Sequence, residues 1–170
     1  MGSKNRLPAL YAVIFIFGTA TAPVASAAPP DDACALLTDT QVDAVLGVSV
    51  SAGSHPTPTS LKLCSWAEAN APMMGRKSVR VALKTAADFE GMKKLRAQAK
   101  AMAEQEKDED AGQMSLTPAS GIGDEAYFTP TLWVKKGNVA FELFITGLDL
   151  PTDQVRVKLK TLALQILSKL

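Results

Sequence analysis

The sequence predicts an α+β fold, an antiparallel sheet packed with helices in the order α-β-β-α-β-β-β-α and tied by one disulfide. Three observations carry this expectation. Apolar residues alternate with a period of two in residues 77–84 and 139–146. A period near 3.6 takes over at Thr85 and again after Pro151. The connections between strand candidates are short and rich in turn residues, which favours hairpins over the crossovers of a doubly wound sheet.

The first expected helix covers residues 39–46. Thr38 and Gln41 stand at capping-box spacing, Leu37 and Val42 at staple spacing, and Gly47 is placed to end the helix in the left-handed conformation. Residues 48–61 are rich in Ser, Thr, Gly and Pro and read as loop. Residues 61–66 alternate, and residues 70–75 connect them to a stronger strand in which Val79, Val81 and Leu83 share one face and Arg80, Ala82 and Lys84 the other.

Thr85 and Asp88 can cap a second helix. Its packing stripe is read as Phe89, Met92, Leu95, Ala99 and Met102, and the acidic run at 104–110 as its solvated end and a loop. Gly121-Ile122-Gly123-Asp124 reads as a turn into short strands at 125–129 and 132–135, separated by Pro130. Lys136-Gly137-Asn138 makes a hairpin into residues 139–146, where Phe141, Leu143 and Ile145 face one way and Glu142 and Phe144 the other. A closing helix over residues 151–169 carries Val155, Leu159, Leu162, Ile166 and Leu170 on the side expected to cover the sheet.

Ahead of these elements, residues 1–27 have the parts of a cleaved secretory signal peptide. Lys4 and Arg6 precede an apolar run from Leu10 to about Ala20, and Ala25-Ser26-Ala27 offers small side chains at the cut. That run is about half of the roughly 20 residues a membrane span needs, so no stable span is expected. Lipid attachment would need a cysteine directly after the cut, and the first cysteine is Cys34. Residues 28–170 are thus expected to form one α+β domain, secreted or periplasmic and soluble after signal cleavage. Two cysteines in an exported chain have one pairing, Cys34 with Cys64, and no Cys-x-x-Cys spacing suggests a redox or metal role.

Removing Lys4 and Arg6 from the 18 basic residues leaves 16 against 17 acidic ones. Near-neutral charge without a dense basic tract argues against a nucleic-acid partner, the small group Arg76, Lys77 and Arg80 notwithstanding.

Chemistry is sparse. His55 is the single histidine and sits in a loop, so neither a Ser–His–Asp system nor a His-rich zinc site is expected. The glycines at 121 and 123 precede a strand rather than open a helix, unlike a phosphate cradle. Asp124, Glu125 and Glu142 are the carboxylates to inspect for acid–base hydrolysis, the alternative to a binding role. No catalytic residue, metal or cofactor is assigned. Trp133 and Phe144 alternate against the core-facing residues of their strands and are the candidate ligand- or partner-binding pair, unless the second helix covers them.

Cys34-Ala35-Leu36-Leu37-Thr38, the helix ending at Gly47, and Cys64-Ser65-Trp66 resemble the opening of the DUF3558-like family. Its members are small secreted or lipid-anchored bacterial envelope proteins of unknown function, common in actinobacteria. Residues 121–128 and 132–138 are similar to the later hairpin of that family. The resemblance implies an α+β envelope domain with Cys34 paired to the cysteine before Trp66, and supplies no catalytic residues. Taken together, the expected function is a noncatalytic binding or accessory domain whose partner is an envelope protein or a small ligand. A structural accessory of an envelope assembly is a further alternative.

Overall fold

In a computed structural model, which describes residues 30–106 and 115–170, the chain forms a six-stranded antiparallel sheet with helices on both faces. The signal-peptide reading and residues 107–110 of the acidic run lie outside the described residues. The elements are α1 (Asp39–Leu46), β1 (Leu63–Ala67), β2 (Ser78–Thr85), α2 (Ala86–Glu106), β3 (Thr117–Pro118), β4 (Glu125–Phe128), β5 (Leu132–Lys136), β6 (Val139–Thr146) and α3 (Thr152–Leu167). A short 3₁₀ turn, Ala33–Ala35, precedes α1.

The strand order is β1-β2-β6-β5-β4-β3. Two hairpins, β1–β2 and β5–β6, are thus joined side by side through β2 and β6, which pair along their whole length from Ser78 opposite Thr146 to Thr85 opposite Val139. The α+β class, the order of elements and the single disulfide agree with the sequence reading. The strand β3 is additional. It pairs Thr117 with Phe128 and Pro118 with Tyr127, and two residues are too few to show an alternation.

On the inner face, Cys64, Trp66, Val79, Val81, Leu132, Val134, Phe141 and Leu143 are buried against α1 and α3. The α1 cap is the expected box: Gln41 N–H donates to Thr38 Oγ1, and Thr38 N–H to the Gln41 side chain. Gly47 ends the helix at φ +71°, a conformation that penalises any Cβ. Leu159, Leu162, Ala163 and Ile166 form the buried face of α3. Lys158 of α3 donates to the Val45 carbonyl and Lys169, just past its end, to the Ala35 carbonyl, tying this end of the chain to α1 and the turn before it.

Acidic residues of α1 organise the loop that follows. Asp43 Oδ1 accepts from Val50 N–H at 2.6 Å, and Asp39 Oδ1 accepts from both Gly53 N–H and the Trp66 indole N–H, the latter at 2.9 Å. Gly53 lies so close to Trp66 that a Cβ there would stand 2.6 Å from the indole ring. The loop then runs beside β1, with isolated bridges pairing Val50 to Glu68 and Ser54 to Ser65.

On the outer face, Thr85 and Asp88 cap α2 as expected, Asp88 N–H donating to Thr85 Oγ1 and Thr85 N–H to Asp88 Oδ2. The packing stripe needs correction. Phe89 and Met92 are buried over Ala140, and Ala103 is buried, but Leu95 and Met102 are 68% and 63% exposed. At 21 residues α2 is about 31 Å long. Phe89, Met92 and Ala103 share one side of the helix, and Leu95 and Met102 lie beside that side, so a step of three or four does not by itself mark contact. No helix among the described residues is long and apolar enough to cross a membrane.

Candidate functional site

The outer face is a grid set by register. One row across it runs Ser65, Arg80, Phe144; the next runs Leu63, Ala82, Glu142, Trp133, Tyr127; a third holds Lys84, Ala140, Lys135, Glu125. Helix α2 occupies the third row and part of the second, where Phe89 and Met92 cover Ala140 and touch Tyr127 and Trp133. The first row and the near half of the second remain open.

The open half is a trough of about 580 Å³. Ala82 lies at its floor, Leu63 and Phe144 flank it, and residues 59–60 of the long loop close one side. Its concavity follows from size: Ala82 is the small residue among Leu63, Arg80, Glu142 and Lys84. Arg80, Lys62 and Lys84 contribute three cations to the lining, and Glu142 one carboxylate, which accepts a hydrogen bond from Thr131 Oγ1 at 2.9 Å. Lys62 pairs with Asp31, and Lys84 Nζ stands 5.7 Å from the centre of the Trp133 ring. Arg80 is exposed and has no ion-pair or ring partner among the described residues.

Phe144 and Trp133, the two aromatics expected to share a groove, are both half-buried on this outer face but do not line one space. Phe144 belongs to the trough. Trp133 lines a second, shallower concavity beside α2 with Met92, Leu95 and Ala99. Lys84, stacked on Trp133, stands between the two and lines both. The sequence reading missed Arg80, Ala82 and Lys84 as site residues. Their alternation against Val79, Val81 and Leu83 signalled their face; that α2 would leave half of that face open had no local signal.

Of the carboxylates weighed for acid–base chemistry, Glu142 lines the trough, and Asp124 and Glu125 are engaged elsewhere. Asp124 accepts from Gly137 N–H at 2.7 Å and stabilises the turns at that end. Glu125 accepts from Lys93 Nζ at 2.5 Å and from the Tyr127 hydroxyl at 2.8 Å, and pairs with Lys135 at 3.2 Å. Lys93 and Lys135 also pair with Glu90 of α2. This cluster brings the carboxyl of Glu125 from the ordinary 4.5 down to about 2; the hydrogen bond from Lys93 is the main cause, and Tyr127 and Lys135 add to it against the cost of partial burial. A carboxylate held so firmly ionised is unsuited to donate a proton as a general acid.

The cluster does pin α2 to the sheet, and its acid sensitivity has a definite sign. A depressed carboxylate pKa stabilises the fold above the unfolded value of 4.5, and that contribution is lost as pH falls toward about 2. Solvent screening of a side chain 27% exposed reduces the contribution to about 1 kcal/mol. Amide protection in α2, corrected for the intrinsic pH dependence of exchange, is therefore expected to fall between about pH 4.5 and 2 more steeply than protection in β2 or β6. Glu125→Gln should lose that extra dependence; an unchanged acid profile in the variant would refute the pin.

His55, set aside as a catalytic base, lies by the disulfide. Its Nδ1 is 2.8 Å from the Leu63 carbonyl oxygen, which can only accept, so Nδ1 carries a proton. Nε2 faces Asp32 at 3.3 Å, and Nδ1 is also 3.7 Å from Cys34 Sγ. Asp32, Cys34 and His55 thus approach one another as metal ligands would. Because the Cys34 sulfur is bonded to Cys64, it is no thiolate, and a carboxylate and an imidazole remain.

Fold and site together define a three-layer α+β domain with a half-covered sheet and one open, cation-lined trough. No protein-family model, curated protein or solved structure matches the chain.

Proposed function

We propose that this chain is an exported, noncatalytic binding domain of the bacterial envelope, akin to the DUF3558-like proteins its motifs resemble, and that the trough over Ala82 is where it holds its ligand. The observation that carries the reading is the open half of the outer sheet face. A folded domain covers apolar sheet surface where it can; here Phe144, Leu63 and Ala82 stay accessible in a concavity of about 580 Å³, within the roughly 300–1,000 Å³ usual for small-molecule sites. The signal peptide read in residues 1–27 and the Cys34–Cys64 bridge support export.

Ala82→Trp separates this reading from a merely structural face. Residue 82 points away from the core, so a bulky side chain fills the trough without displacing buried residues. The full chain, exported by its own host and purified under native conditions, is expected to carry a noncovalent small molecule visible by mass spectrometry. Ala82→Trp should reduce it at least tenfold with an unchanged unfolding midpoint. Equal loading of the two proteins, or no loading of either, would overturn the assignment.

A further inference from the structure

We infer that the trough's ligand is a single-chain amphiphile with a carboxylate head group, its head against Arg80 and its chain lying over Ala82 between Leu63 and Phe144. This rests on the binding role proposed above and goes beyond it by naming the ligand class. The first ground is charge complementarity: three cations against one carboxylate line the trough, and the one carboxylate is already hydrogen-bonded to Thr131. The second is what each cation is doing. Lys62 is neutralised by Asp31 and Lys84 lies over Trp133, whereas Arg80, opposite Phe144 in the sheet, forms no ion pair among the described residues. A guanidinium offers a planar fork that matches a carboxylate in two parallel hydrogen bonds, which is the head-group chemistry selected here.

The third ground is shape. From Arg80 to Lys84 the trough follows β2 for about 13 Å, four residues at roughly 3.3 Å each. Along that path Ala82, Leu63 and Phe144 form an apolar strip suited to an extended hydrocarbon, bordered by the polar side chains of Thr59, Ser60 and Thr131 and by Glu142. A single apolar strip over Ala82, with Arg80 at one end, fits one chain rather than a two-chain lipid.

The probe is dodecanoate, kept below its micelle threshold and titrated calorimetrically into the native, disulfide-bonded protein, with dodecyl maltoside as the same chain without charge and acetate as the charge without the chain. Dodecanoate is expected to bind at least tenfold more tightly than either control. Arg80→Glu and Ala82→Trp should each weaken it at least tenfold, and added salt should weaken it progressively. Arg80 is exposed on the surface, so its substitution leaves the fold intact, as an unchanged unfolding curve would verify. Dodecanoate bound equally by wild type and Arg80→Glu, or dodecyl maltoside bound as tightly, would overturn the carboxylate assignment while leaving the trough as a binding site if Ala82→Trp still abolishes loading. Dodecanoate binding unaffected by Ala82→Trp would overturn the placement in the trough as well.

Discussion

Trp66→Ala is expected to destabilise the fold by about 3 to 5 kcal/mol, read as a lower urea midpoint with little change in slope. The ring is 1% exposed on the inner face of β1, so its removal leaves a large cavity between α1 and the sheet. It also takes away a donor from Asp39 Oδ1, the oxygen that simultaneously accepts from Gly53 N–H and so fixes the loop after α1. Trp66→Phe separates the two effects: most of the volume stays, the indole N–H goes, and the cost should fall to about 1 to 2 kcal/mol. Gly53→Ala approaches the same contact from the loop side, its Cβ meeting the ring at 2.6 Å, and should cost about 1 to 3 kcal/mol. A Trp66→Ala protein within 1 kcal/mol of wild type would show that the loop and α1 do not depend on this side chain.

Loss of the Cys34–Cys64 bridge is the other large effect. The bonded residues are 30 apart in sequence, and closing a loop of that size in the unfolded chain is worth about 3 to 4 kcal/mol in the chain-entropy account. The bridge anchors the 3₁₀ turn ahead of α1 to β1, where Ala33 N–H also donates to the Leu61 carbonyl. A Cys34→Ala/Cys64→Ala protein should therefore unfold at lower urea by that margin, and wild type in excess dithiol should move to the same curve. Coincident curves for oxidised wild type and the double variant would mean that the bridge confers no stability.

Much of this architecture is written locally. The Thr38–Gln41 and Thr85–Asp88 caps, the alternation of β2 and β6, and the apolar face of α3 are each decided within a few residues, and each is legible for that reason. What escapes a local reading depends on partners far along the chain. The two residues of β3 form a strand only because β4 offers an edge beside them. Leu95 and Met102 continue the helical period of α2, yet they are exposed because the buried side runs through Phe89, Met92 and Ala103 and leaves them to one side. The trough has the same origin. Phe144 and Trp133 announce a non-core face, but their separation by Lys84 and the opening over Ala82 follow from where α2 stops covering the sheet. Asp39, Gly53 and Trp66 meet across 27 residues of sequence, a juxtaposition that no spacing rule reveals.

The two borders of the sheet bear on how copies of this chain behave in a crowded compartment. A bare border strand is a template on which a neighbour can extend the sheet. Along β1 that position is already taken by the chain's own loop, with Ser51 N–H donating to the Ala67 carbonyl and Ser54 and Ser65 exchanging backbone hydrogen bonds. At the other border β3 is two residues long and ends in Pro118, which has no N–H to offer. Strand-by-strand growth finds no foothold on either side, so half of a sheet face can stay open without the borders seeding fibrils.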